Sequence, residues 1–267
     1  MGKAINPNAL SYITMPIDFK LAETDTKLFS GTAFIYLHND KYYLITNWHL
    51  VTGLKPKDKS PISGHGGIPD QIIITFLVSK NPITYSYYPL SLYEDNMAGW
   101  LIHPVHGENV DVVAIELEFE EGFKGIIKPI NTYLFDEFNA EIGDDVFVLG
   151  YPYSFTGGGN FPVWKRGSIA TEPEIDYEFY PKIYIDTASK SGMSGSPVIC
   201  RRIGIHGTEN GKITTSTSFG EIRSFLGVYS GRVIGETDLD AQLGIVWKKN
   251  VIEEIISGNI KDVRHFA

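Results

Sequence analysis

Short apolar runs punctuated by Gly, Asn, Asp and Pro dominate the chain. The run at 31–38 reads as a strand, 38–41 as a turn and 42–47 as the return strand of a hairpin. Further strands are predicted at 71–78 and 83–92, and a near-continuous apolar strand at 110–117. A second set is predicted at 144–151, 167–172, 182–187, 196–202, 224–233 and 243–247. The stretches 56–69, 155–160 and 205–215 are rich in turn residues and read as loops. Only 250–257 has helical spacing, with Val251, Ile252, Ile255 and Ile256 on one stripe and Gly258 as a stop. Many short strands followed by one C-terminal α-helix predict an all-β chain, built as β-barrels or a sandwich and not from alternating βαβ units. Polar, loop-like composition between Glu120 and Glu141 divides the strands into an N-terminal unit, 1–130, and a C-terminal unit, 131–267.

Charge and composition narrow the function classes. The formal net charge is −9, with no basic run to offset it, which disfavours a nucleic-acid partner. Cys200 is the single cysteine, so an intrachain disulfide is excluded. No apolar run is long enough for a membrane-spanning helix and no signal-peptide pattern opens the chain. The expectation is therefore a cytoplasmic protein without a membrane partner. No pair of histidines has metal-ligand spacing, so neither a metal nor another cofactor is expected.

Three segments carry candidate chemistry. Ser191-Gly192-Met193-Ser194-Gly195-Ser196-Pro197 combines a serine with flanking glycines and then an apolar strand. A nucleophilic serine needs such a tight turn, with backbone N–H groups aimed at a developing oxyanion. His49 follows the apolar run at 42–47 and is itself followed by Leu50 and Val51, placing a candidate base on a rigid element. Asp111 heads the Val/Ile strand, where a carboxylate is costly unless partnered. Taken singly, each has a plainer explanation: a surface turn, a core histidine, a turn-capping aspartate. Their order, His then Asp then Ser, with the first two in one unit and the third in the other, is what a cleft between two β units requires. Of the remaining histidines, His38 falls in the turn at 38–41, and His65, His103, His106, His206 and His265 read as surface or loop residues. Cys200 reads as a buried small hydrophobe, and Asp144-Asp145 as a turn.

These segments resemble the trypsin-like serine peptidase family, especially its disulfide-free bacterial branches such as the HtrA and glutamyl endopeptidase relatives. The matching pieces are Gly31-Thr32-Ala33-Phe34, Thr46-Asn47-Trp48-His49, His103-Pro104 with Asp111-Val112-Val113-Ala114, Gly143-Asp144 with Gly150-Tyr151-Pro152, the Ser194 segment, Phe225-Leu226-Gly227-Val228 and Gly244-Ile245-Val246-Trp247. The resemblance implies two six-stranded antiparallel β-barrels and a serine endopeptidase acting through His49, Asp111 and Ser194. It also implies an oxyanion hole from the N–H groups of Gly192 and Ser194, and a substrate pocket near Ala188, Ser189, Tyr229, Ser230 and Gly231. The position that carries an acid in trypsin-like enzymes is Ala188, and the later pocket strand lacks the histidine of the glutamyl enzymes, so a small or apolar P1 residue is expected. The partner expected is a protein or peptide substrate. Two alternatives stand beside an active enzyme. One is a latent protease effector, of a stress or antiviral system, controlled by an activating or inhibitory protein. The other is a protease-fold binding module without turnover.

Overall fold

A computed structural model of the chain describes residues 7–62, 67–80, 82–157, 159–188, 191–207, 212–215, 217–233 and 243–263. The expectations for His65, Ser189 and His265 fall outside these residues.

The N-terminal strands are β1 (Thr14–Leu21), β2 (Thr26–His38), β3 (Lys41–Thr46), β4 (Gln71–Lys80), β5 (Ile83–Ser91), the short β6 (Tyr93–Glu94), β7 (Met97–Ala98) and β8 (Leu101–Ile102), and β9 (Val113–Leu117). A one-turn helix, α1 (Trp48–Thr52), lies between β3 and β4. The C-terminal strands are β10 (Asp145–Gly150), β11 (Val163–Ile169), β12 (Lys182–Asp186), β13 (Pro197–His206), β14 (Ser218–Arg232) and β15 (Leu243–Lys248), followed by α2 (Asn250–Gly258) and β16 (Ile260–Lys261).

The second set closes into a six-stranded antiparallel barrel in the order β10-β11-β12-β15-β14-β13. The first set is an antiparallel sheet in the order β16-β8-β9-β3-β2-β1-β4-β5. Its principal strands number six, as the resemblance implied; five of them coincide with the predicted runs, β1 is additional, and two short ones join them. β8 takes the free edge of β9, and β16 returns from beyond α2 to take the edge of β8. An open edge is a template for stray pairing, and these strands cover it.

Local sequence accounts for the turns and for one strand that the pattern did not announce. Asn39 and Asp40 join β2 to β3 with φ of 48° and 60°. A two-residue hairpin link needs both residues left-handed, which Asn and Asp tolerate. In β1, Met15, Ile17 and Phe19 are buried in alternation. Pro16 hides this strand, because proline removes a ladder donor; here it pairs only with Thr32 of β2 and lies beyond the β4 ladder, which covers Ile17 to Lys20.

One apolar core joins the two halves. Phe34, Ile45, Leu149, Ile199, Phe225, Val228 and Trp247 share it with Val251, Ile252, Ile255 and Ile256 of α2. Phe34 of β2 and Phe225 of β14 meet edge to face with centroids 5.7 Å apart. α2 is also tied to the first sheet by polar contacts: Tyr36 Oη donates to Glu253 Oε1 at 2.6 Å, and His103 Nε2 lies 2.7 Å from Glu254 Oε2. The last contact corrects the surface reading of His103, which is buried. Its Nδ1 accepts the N–H groups of Val105 and His106, leaving Nε2 to donate to the helix carboxylate. His106 is half-buried, its ring 5.1 Å from that of Tyr180. β13 runs on to His206, so residues 205 and 206, expected in a loop, are strand.

Truncating Phe225 to Ala should lower the unfolding free energy by about 3–5 kcal/mol, read from urea midpoints, since it opens a cavity between the two halves. Cys200 is fully buried and its thiol is pushed up to about 12, first by burial and then by the Asp144 charge. Native protein at pH 8 should resist iodoacetamide and take up one label only after denaturation, as mass spectrometry would show.

Candidate active site

β3 ends at Thr46, and Asn47 turns the chain into α1 with extended dihedrals of −93° and 148°. Gly53, at φ 69°, stops the helix after one turn. His49 therefore sits on a helical turn and not on a continuing strand. The apolar stretch Trp48, Leu50 and Val51 is buried as a helix packed on the first sheet, a pattern too short for periodicity to reveal.

Asp111 lies just ahead of β9, beside β3. Its Oδ1 accepts the His49 N–H at 2.9 Å, and its Oδ2 faces His49 Nδ1 at 2.7 Å. Asn47 Nδ2 donates to the Asp111 carbonyl at 2.6 Å, which fixes the two backbones to each other. Asp111 is 3% exposed and His49 9%. A carboxylate only accepts, so Nδ1 is the donor here, and in the neutral tautomer this selects it is Nε2 that carries the lone pair.

Ser194 is half-buried in the tight turn before β13. Gly192 and Gly195 take φ of 90° and 84°, and a Cβ on Gly195 would stand 2.0 Å from Thr32 O. Two carbonyls hold the peptide planes of this turn. Ser191 O accepts the Tyr153 N–H at 2.8 Å, and Met193 O accepts the Ser196 N–H at 3.1 Å. In a trans peptide the N–H points opposite to the C=O. The N–H groups of Gly192 and Ser194 thus face away from both bonds, and neither has a hydrogen-bond acceptor among the described residues.

Thr32 of β2 joins this turn to the first sheet. Its N–H donates to Ser194 O at 2.9 Å, its Oγ1 donates to Gly192 O at 2.9 Å and accepts the Tyr151 N–H at 3.2 Å, and its carbonyl accepts Thr46 Oγ1 at 3.0 Å. Thr46 is three residues before His49. Thr32 and Tyr153 are the functional positions that sequence reasoning missed. Nothing marks Tyr153, because only its backbone acts. Thr32 stands inside the Gly31-Thr32-Ala33-Phe34 segment, but its hub role depends on tertiary contacts.

The fold brings His49 and Asp111 into contact and sets the Ser194 turn against their sheet. Among the described residues no hydrogen bond joins Ser194 Oγ to His49. Of the candidate pocket residues, Tyr229 is bonded to the turn: its carbonyl accepts the Gly195 N–H at 2.9 Å and its N–H donates to Ser196 O at 2.8 Å. Its side chain is buried, with Cε2 2.6 Å from where a Cβ on Gly244 would stand. Ser230 Oγ accepts Trp247 Nε1 at 3.1 Å, Gly231 follows at φ 108°, and Ala188 is exposed. Asp144 is not free in its turn: Arg202 pairs with both its oxygens at 2.7 Å. Burial works against the Asp144 charge, but Arg202 and the Glu141 N–H outweigh it and hold the carboxyl below its ordinary range.

The family model of the trypsin-like peptidase domain matches residues 31–204, well over half of the chain. The chain belongs to this family. The trypsin-like match includes Thr32, α1, Asp111 and the Ser194 turn, and ends within β13. Among solved structures, the chain is similar to the crystal structure of the Rv3671c protease from M. tuberculosis in its active form, at 17% identity and a TM-score of 0.46, over 97% of this chain and 85% of that one. No curated protein matches. No helix among the described residues is long and apolar enough to cross a membrane.

Gly195→Ala should destabilise the fold by more than 1 kcal/mol in thermal unfolding, because alanine disfavours the left-handed turn and its methyl meets the Thr32 carbonyl.

Proposed function

We propose that this trypsin-like peptidase is a serine endopeptidase that cleaves a protein or peptide chain through an acyl-enzyme. The observation that carries the reading is the buried His49–Asp111 pair, with Nδ1 and Oδ2 at 2.7 Å and Nε2 left as an acceptor. His49 Nε2 takes the proton from Ser194 Oγ as that oxygen attacks the scissile carbonyl. Asp111 holds the ring in the required tautomer and stabilises the imidazolium. The N–H groups of Gly192 and Ser194 receive the oxyanion. His49 then protonates the leaving amine, and water releases the acyl group by the same path in reverse. No step calls for a metal or organic cofactor.

The bond between Ser194 Oγ and His49 is the part of the machinery that substrate has to complete, as is common in unliganded sites. Its absence among the described residues also favours a second reading, in which a protein partner completes it and the free enzyme is latent. Tyr229, buried beside the turn and close against Gly244, supports a shallow pocket for a small or apolar P1 residue. One buried cysteine and no disulfide suit a reducing, cytoplasmic setting.

A fluorophosphonate probe tests the reading. The wild type should be labelled at Ser194, and Ser194→Ala should take up no probe. Asp111→Asn should slow labelling by roughly 10³-fold or more, because the imidazole then loses its tautomer control. Undiminished labelling of Ser194→Ala would sink the assignment. A silent wild type that reacts once a partner is added would select the latent form.

A further inference from the structure

The residue before the histidine makes a buried contact that the reaction above does not use. Trp48 is fully buried, and its Nε1 donates to Asp262 Oδ2 at 2.8 Å. Trp100, also fully buried, donates Nε1 to the same oxygen at 2.9 Å. Asp262 follows β16, is 6% exposed, and accepts the Val263 N–H on Oδ1 at 2.8 Å. Its own N–H donates to Trp100 O at 3.2 Å. The Lys59 ammonium lies 4.1 Å above the Trp48 ring. Burying a carboxylate is expensive unless donors converge on it, and here two indoles do so.

α1 has only five residues, Trp48–Thr52. A single turn does not hold itself; its place and rotation come from tertiary contacts. One set of contacts comes from Asp111, which binds the His49 N–H and the Asn47 side chain. Another comes from Asp262 through Trp48, on the adjoining residue. Neighbouring side chains on a helical turn rotate together, so fixing the indole also fixes the direction of the imidazole.

We propose that Asp262 is a positioning residue: acting through Trp48, it sets the rotation of α1 and so the aim of the His49 ring at Asp111 and Ser194. The segment beyond α2 is then part of the catalytic unit, although it is far from His49 in sequence. The effect on rate rests on the serine peptidase reading. The effect on the His49–Asp111 bond does not.

The test compares Trp48→Phe, Trp100→Phe, Asp262→Ala and Asp262→Asn in the full chain, at a temperature where circular dichroism shows each variant folded. The two indoles share one carboxylate, but only Trp48 adjoins the histidine, so Trp100→Phe controls for a merely structural effect. The first readout is the low-field proton resonance of His49 Nδ1 in its bond to Asp111, followed by NMR. The second is the rate of fluorophosphonate labelling at Ser194. Trp48→Phe and Asp262→Ala should each lose the resonance to exchange and label about ten- to a hundredfold more slowly. Trp100→Phe should keep both while unfolding at a lower temperature. Asp262→Asn, whose carbonyl can still accept, should restore much of what alanine loses. Equal behaviour of Trp48→Phe and Trp100→Phe in both readouts would overturn the proposal, as would a resonance that survives in Trp48→Phe. If Asp262→Ala does not fold, the two Trp→Phe variants decide. A wild type that shows the resonance but never labels would remove the peptidase reading and leave the NMR arm to judge the positioning role.

Discussion

A carboxylate exposed by only 3% has to find donors close at hand, and Asp111 finds them in the residues that begin α1. The His49 N–H and ring both converge on its two oxygens, while Asn47 grips its backbone. Removing one partner of such a buried pair costs about 3–5 kcal/mol, because the other is left with nothing in place of water. The pair therefore orients the imidazole and also fixes where β3 ends, where β9 begins and how α1 lies between them. The chemistry of the site and the local fold draw on the same three hydrogen bonds.

The second half of the molecule reaches this pair through Thr32. Its backbone and hydroxyl bind the Ser194 turn on one side and Thr46, on the approach to His49, on the other. The glycines of the turn are needed because Thr32 comes so close: any side chain at Gly195 would collide with its carbonyl. The shared core around Phe34 and Phe225 keeps the two β units from shifting across this junction. A cleft between separate units would leave the distance from Ser194 to His49 to chance; a common core and a buried threonine hub limit it.

What the sequence made legible follows from the range of each interaction. The β2–β3 hairpin, most of the long strands and α2 are written in local periodicity and turn chemistry, and they overlap the predicted runs, although β2 begins at Thr26 and β14 at Ser218, ahead of the pattern. The serine turn was legible because its glycines are required within a few residues. α1 was not, since one helical turn inside an apolar run has no period to read. β1 was masked by Pro16, whose lost donor matters only if β4 reaches it. His103 was misread as a surface residue because its partner, Glu254, is 151 residues away and belongs to a helix whose docking no local rule foretells. The Tyr153 N–H is invisible for a further reason: a backbone group carries no signature of its own.

The C-terminal segment shows how such long-range ties can be ordered. α2 buries its apolar stripe in the core common to both halves, and its two glutamates bind Tyr36 and His103 of the first sheet. The chain then turns at Asn259, in the left-handed conformation with φ 50°, and β16 pairs with β8. Only after that does Asp262 meet the two indoles. Each step brings the chain further into the N-terminal sheet and shortens the loop that the next contact has to close, so each later contact costs less entropy than it would alone. A carboxylate at the end of this path sits in a dry site that the earlier contacts have already built. By this argument residues 260–262 complete the sheet that presents His49, and the first unit is finished only when this segment has docked on it.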